Sequence, residues 1–172
     1  MKPEILIHPN IPKPLHGLNP RSVMGKSWWD EKRQEAYAKE YYCCWACGVH
    51  KSAAKYHKWL EGHECYRYNY ALGTAEMIEV TALCHSCHNF IHSGKLQYDY
   101  KAGRISYDRY RDILDHGNRI IGEYGLDNIE NPYIIDKSSI ADWKSWRLII
   151  DGKEFYSKFK DINEWYDFYN RR

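Results

Sequence analysis

ALCHSCHNFIH, residues 82–92, sets two cysteines and three histidines within one short stretch. Cys84 and Cys87 have C-x2-C spacing, and CWAC at 44–47 repeats it with Cys44 and Cys47. Two residues between thiolates let a tight turn aim both sulfurs at one ion. Two such turns complete a tetrahedral zinc site. Gly48 follows the first pair, where a knuckle turn can use positive φ. The gap between Cys47 and Cys84 is wider than a compact zinc ribbon needs, so further structure is built between the knuckles. This zinc is expected to be structural. Cys43 and Cys65 are left over as small, buried or half-buried residues, with Cys43 a competitor for the place of Cys44.

His88 and His92 are four apart. A helix from about Leu83 puts them on one face, where they can share an ion. His85 lies at the knuckle and is less well placed. Upstream, in KYHKWLEGHECYRY (55–68), Trp59, Glu61, His63 and Cys65 alternate with Leu60, Gly62, Glu64 and Tyr66. That is strand periodicity. A return strand fits EMIEVTAL (76–83). The order is knuckle, strand, return strand, knuckle, helix, and His63 can then face the helix carrying His88 and His92.

The rest of the chain is less specific. Its 172 residues suit one domain with a small appendage. Hydrophobic content is 44%, but 16 Tyr and 7 Trp supply much of it, and such rings at regular spacing read as core before base stacking. The net charge of +2 argues neither for nor against a nucleic-acid partner. No apolar run approaches the ~20 residues of a membrane span, and the N-terminus lacks the apolar core of a secretory signal. A soluble, cytoplasmic protein is expected, whose cysteines serve metal and not disulfides.

Residues 1–26 carry Pro3, Pro9, Pro12, Pro14 and Pro20 and read as an extended arm. SWWD (27–30) fits a capping box that opens a helix to about Glu40. A further helix is expected from Tyr107 to about Tyr124, ended by Gly125. Residues 127–144 read as a linker. A hairpin turning at Asp151-Gly152 follows, then a helix with a buried stripe of Ile162, Trp165, Tyr166 and Tyr169. The expected organisation is an arm (1–26), a zinc-stabilised domain (27–125) and a C-terminal linker, hairpin and helix (126–172).

CWAC, LEGHECY (60–66) and LCHSCHNFIH (83–92) together resemble the HNH, or ββα-metal, nuclease superfamily. The similarity is to its bacterial and phage branch, with a His-Glu pair after the first strand and an LC-x2-CH-x3-H ending. It covers residues 9–95 well and reaches 125 more weakly. The resemblance implies an α+β fold: a ββα-metal core with a zinc-knuckle pair, flanked by helices. It implies a metal-dependent endonuclease hydrolysing DNA phosphodiester bonds with Mg²⁺, Mn²⁺ or another divalent ion beside a structural Zn²⁺. By position, His63 matches the general base, and His88 and His92 the helix metal ligands.

Two positions depart from the family pattern. Gly62 stands where a metal-binding Asp or His is usual, and Glu79 stands near the place of the central Asn. His63 is therefore open to two roles: base, or third ligand with Glu64 or Glu61 as base. The alternative to an enzyme is an inert zinc-stabilised module that binds DNA or protein. Lys51, Lys55 and Lys58, just before the strand, are the expected phosphate contacts. Arg104, Arg109, Arg111 and Arg119 lie among acids and read as a solvated mixed face, and His116 reads as structural. The C-terminal region is a candidate for homo-oligomer or protein-partner contacts.

Overall fold

The computed structural model describes residues 1–170. The fold is α+β. Strands β1 (Glu61–Asn69), β2 (Thr74–Leu83), β3 (Ile134–Asp136), β4 (Arg147–Ile150) and β5 (Lys153–Tyr156) form one sheet in the order β3-β1-β2-β4-β5. The α-helices are α1 (Pro20–Val23), α2 (Lys26–Lys39), α3 (His85–Ile91), α4 (Ser93–Lys101), α5 (Tyr107–Glu123) and α6 (Ile162–Asn170). No helix among the described residues is long and apolar enough to cross a membrane.

The chain divides into two compact units, each drawn from three separate stretches. The first comprises Met1–His8, Lys32–His63 and Val80–Asn131. It holds both knuckles, the start of β1, the end of β2, and α3 to α5. Its core includes Ile5, Leu6, Leu60, Leu83, Ile91, Leu96, Ile113 and Ile120, all buried. Helix α3 packs on α5, and the approach is close because Gly117 has no side chain. A Cβ there would lie 2.1 Å from the Phe90 ring.

The second unit comprises Pro9–Glu31, Glu64–Glu79 and the chain from Pro132. Leu15, Leu18, Tyr66, Tyr68, Ala75, Trp146, Leu148 and Ile150 form its core. Alternation along β1 sends Tyr66 and Tyr68 to that core, whereas many other aromatic residues, Tyr41, Trp59 and Tyr98 among them, are exposed and not core as expected. The β4–β5 turn is as expected: Asp151 (φ 49°) and Gly152 (φ 73°) both adopt positive φ, as a tight two-residue hairpin needs.

Several local expectations give way. The proline-rich start is packed, not extended: residues Pro3–Ile7 and Lys13–Leu15 form 3-10 turns that bury Ile5, Leu6 and Leu15. Proline fixes φ near helical values, so it suits such turns. Ser27 lies inside α2, which begins at Lys26. The helix that starts at the second knuckle is short, and Gly94 lies in the first turn of the next helix, α4. The break comes at His92, whose ψ of 47° leaves the helical path. The linker contains β3, which pairs in parallel with β1 at Tyr68 and Asn69; three residues are too few to show alternation. The stripe on α6 is not buried. Ile162, Tyr166 and Tyr169 are exposed, while Trp165 and Tyr169 set their ring edges against His16.

Candidate metal centres

The first knuckle is a backbone device. Cys44 N–H donates to the Val49 carbonyl and Gly48 N–H to that of Cys44, both at 2.8 Å. Gly48 takes φ +73°, as the turn requires. The second knuckle is the start of α3, with Cys84 as its N-cap and Cys87 in its first turn. All four sulfurs converge and are unpaired as disulfides. Four sulfurs at ~2.3 Å from one ion stand ~3.8 Å apart; Cys47 and Cys84 Sγ are 3.8 Å apart. Hydrogen bonding, foremost with Cys44, pulls the Cys47 thiol down to about 5 and the Cys84 thiol well below its usual value. This cluster could hold a structural metal such as zinc.

His116 belongs to this centre, contrary to its reading as a merely structural residue. From α5 its Nε2 lies 3.3 Å from Cys87 Sγ. Hydrogen bonds to Cys47 and then Cys84 raise its pKa to about 9, so the sulfur cluster as a whole keeps the ring protonated. An N–H donated to a metal-bound thiolate disperses its charge and fixes its direction. Loss of such support costs about 10–100-fold in metal affinity. His116→Phe is accordingly expected to fold with zinc bound but to release it to a competing chelator at a correspondingly lower concentration. Unchanged zinc affinity would remove His116 from the centre.

A second cluster joins His63 of β1 to His88 of α3 and His92 just beyond it. One nitrogen from each ring lies within 4.8 Å of the others. The rings meet edge to face, with centroids 4.7 Å apart for His88 and His92, 5.1 Å for His63 and His92, and 5.6 Å for His63 and His88. His63 is 2% exposed, yet neither of its ring nitrogens has a hydrogen-bond partner. Burial, then the neighbouring His8, His88 and His92, hold its pKa well below the usual value. Burial and His88 lower His92 to about 4. Near neutral pH these rings present lone pairs. His8, from the proline-rich start, packs edge to face on His63 at 5.2 Å; the sequence reading did not foresee it.

Glu61 organises the flank of this cluster. Its two oxygens receive Nδ1 of His85 at 2.7 Å and Nδ1 of His88 at 2.5 Å. Burial opposes the charged carboxylate, but the two histidines prevail and hold it below the usual carboxylate range. With Nδ1–H committed to Glu61, His88 keeps Nε2 for an ion, the carboxylate–histidine–metal arrangement. His57, Glu61 and His85 also converge, but the ring of His85 is spent. Its Nδ1–H faces Glu61, and its Nε2 accepts from Arg109 Nη2 at 2.6 Å. A neutral imidazole so engaged has no lone pair left for a metal.

The remaining expected site residues make other contacts. Glu64 belongs to the other unit and does not join the converging donors. Lys55 pairs with Asp112 at 2.5 Å, Lys51 lies over the Tyr42 ring, and Lys58 donates to the Ala54 carbonyl. His85, Arg109 and His116 are the additions. Only the three-residue step from His85 to His88 hinted at one of them, since α5 is far along the chain. No family model matches this chain, and neither a curated protein nor a solved structure matches it.

Proposed function

We propose that the protein is a metal-dependent endonuclease of the HNH type that hydrolyses DNA phosphodiester bonds. One observation carries the reading: a buried imidazole, His63, has no hydrogen-bond partner and converges with His88 and His92. A buried polar group without a partner is costly, and three imidazoles about a shared point suit a divalent ion. Three protein ligands leave positions open for water and substrate, the pattern of catalytic sites.

In this reading His63, His88 and His92 hold the ion. The ion supplies a more acidic water and countercharge for the phosphate. Burial favours His63 as ligand over base, because a base must reach the attacking water. Glu61 is a poor base because its pKa is held low; it fixes the His88 ring instead. The thiolate cluster anchors the start of α3, and thereby the spacing of His88 from the strand.

The test is relaxation or linearisation of supercoiled plasmid by the zinc-loaded chain with added Mn²⁺, followed across pH. The depressed histidine pKa values set the sign. Protons compete with the ion for His63 and His92 only in acid, so cleavage and Mn²⁺ affinity fail as pH falls toward about 4. No cleavage and no Mn²⁺ binding would leave a zinc-stabilised binding module. Mn²⁺ affinity unchanged from neutral pH to below about pH 4 would refute the ligand assignment.

A further inference from the structure

Arg109 differs from the other arginines of its region. Arg111 pairs with Asp115, Arg119 with Glu123 and Arg104 with Asp99, all near the surface. Arg109 is half-buried and has no carboxylate within salt-bridge range among the described residues. Its guanidinium stands 4.5 Å over the Tyr56 ring and donates to His85. Its Nε is buried with no acceptor. A guanidinium has five donors and cannot shed its charge, so Arg109 is a fixed cation with donors to spare.

It borders a cavity of about 380 Å³ among α3, α4 and α5. Lys95 and Arg104 also line this cavity and share the one carboxylate in its wall, Asp99. Three cations against one anion leave a positive space. Leu96, Ile105 and Ile113 give it an apolar floor.

We propose that this cavity is a phosphoryl-binding subsite, with Arg109 as its principal ligand and Lys95 and Arg104 at its rim. A planar fork with further cations suits tetrahedral phosphate oxygens, and the volume and apolar floor admit an attached nucleoside. His85 is a positioning residue. It ties the guanidinium to Glu61, and Glu61 ties His85 to His88, so subsite and histidine cluster are held by one hydrogen-bonded series. The proposal rests on the nuclease reading only for its source of phosphate, the backbone of a bound nucleic acid. A phosphate gripped there would orient the strand at the histidine cluster.

The test measures binding of a fluorescent single-stranded DNA oligonucleotide to the full, zinc-loaded chain without added Mn²⁺ or Mg²⁺. Arg109→Gln is expected to weaken binding about tenfold or more and to lower the slope of log affinity against log salt by about one. Inorganic phosphate should compete with the oligonucleotide on the parent, and adenosine monophosphate should compete better. If Arg109→Gln does not fold, Lys95→Gln with Arg104→Gln replaces it, since both side chains are largely exposed. Phosphate and mononucleotide binding that depends on Arg109 without oligonucleotide binding would keep the subsite and assign it a small phosphorylated ligand. Affinity and slope unchanged in the variants would overturn the proposal. The two readings fail separately: Arg109-dependent binding without plasmid cleavage sinks the nuclease, and cleavage with Arg109-independent binding sinks the subsite.

Discussion

Cys44→Ser and Cys87→Ser are each expected to unfold the first unit, while Cys43→Ser leaves it intact. The sulfurs of Cys44 and Cys87 are 1% and 0% exposed by residue and face their partners, so serine has no other role to fall back on. Its hydroxyl is a poor ligand for zinc, and the remaining thiolates would repel one another without the ion. Structural zinc contributes ~10 kcal/mol or more in small modules, comparable with the whole stability of a domain, ~5–15 kcal/mol. The unit cannot absorb that loss, because Cys84 and Cys87 also set where α3 begins. Cys43 lies outside the sulfur cluster. The check is zinc content by mass spectrometry with backbone amide spectra. Lost dispersion for residues of the first unit in Cys44→Ser, but not in Cys43→Ser, is the expected result. A zinc-free Cys44→Ser protein that melts cooperatively near the parent temperature would show that the cluster does not hold the unit together.

How far the sequence reveals this site depends on which interactions are local. C-x2-C spacing is a backbone turn, so the pairs Cys44/Cys47 and Cys84/Cys87 are legible at once. His88 and His92 are a helical step apart, and His63 sits on an alternating strand; period alone aligns them. The role of Glu61 is different. Alternation puts it on the face of His63, but only side-chain rotamers decide that it serves two imidazoles. His116 and Arg109 come from α5, about two helical turns apart on one face, and reach the cysteine and histidine clusters where Gly117 lets α3 and α5 approach. Such pairings arise from packing and leave no periodic trace. Charge counting even misleads at Arg109, whose acidic sequence neighbours suggest a solvated face, while its side chain turns inward to His85.

His63→Ala is expected to abolish Mn²⁺-dependent plasmid cleavage, by at least about a hundredfold, and to leave zinc and fold in place. The scale follows from lesser changes: loss of a group that merely supports a metal ligand already costs about 10–100-fold. Fold should survive for a reason specific to this residue. Truncating a buried side chain leaves a cavity, but His63 also carries two buried nitrogens with no partner, and their removal offsets part of that cost. The zinc ligands come from the knuckles and not from β1, so zinc content should match the parent. The variant also separates the two roles open to His63. A ligand lost takes Mn²⁺ affinity with it; a base lost spares the affinity and removes only the rate. Glu61→Gln gives the intermediate case. It keeps one acceptor oxygen but no charge, and its amide N–H₂ faces one of the two histidine nitrogens, so His88 loses orientation and Mn²⁺ binds about 10–100-fold more weakly. Calorimetric titration of Mn²⁺ into the three zinc-loaded proteins ranks them as parent, Glu61→Gln, His63→Ala. Equal affinity across all three, with cleavage retained in His63→Ala, would mean that the convergence of these rings is packing alone.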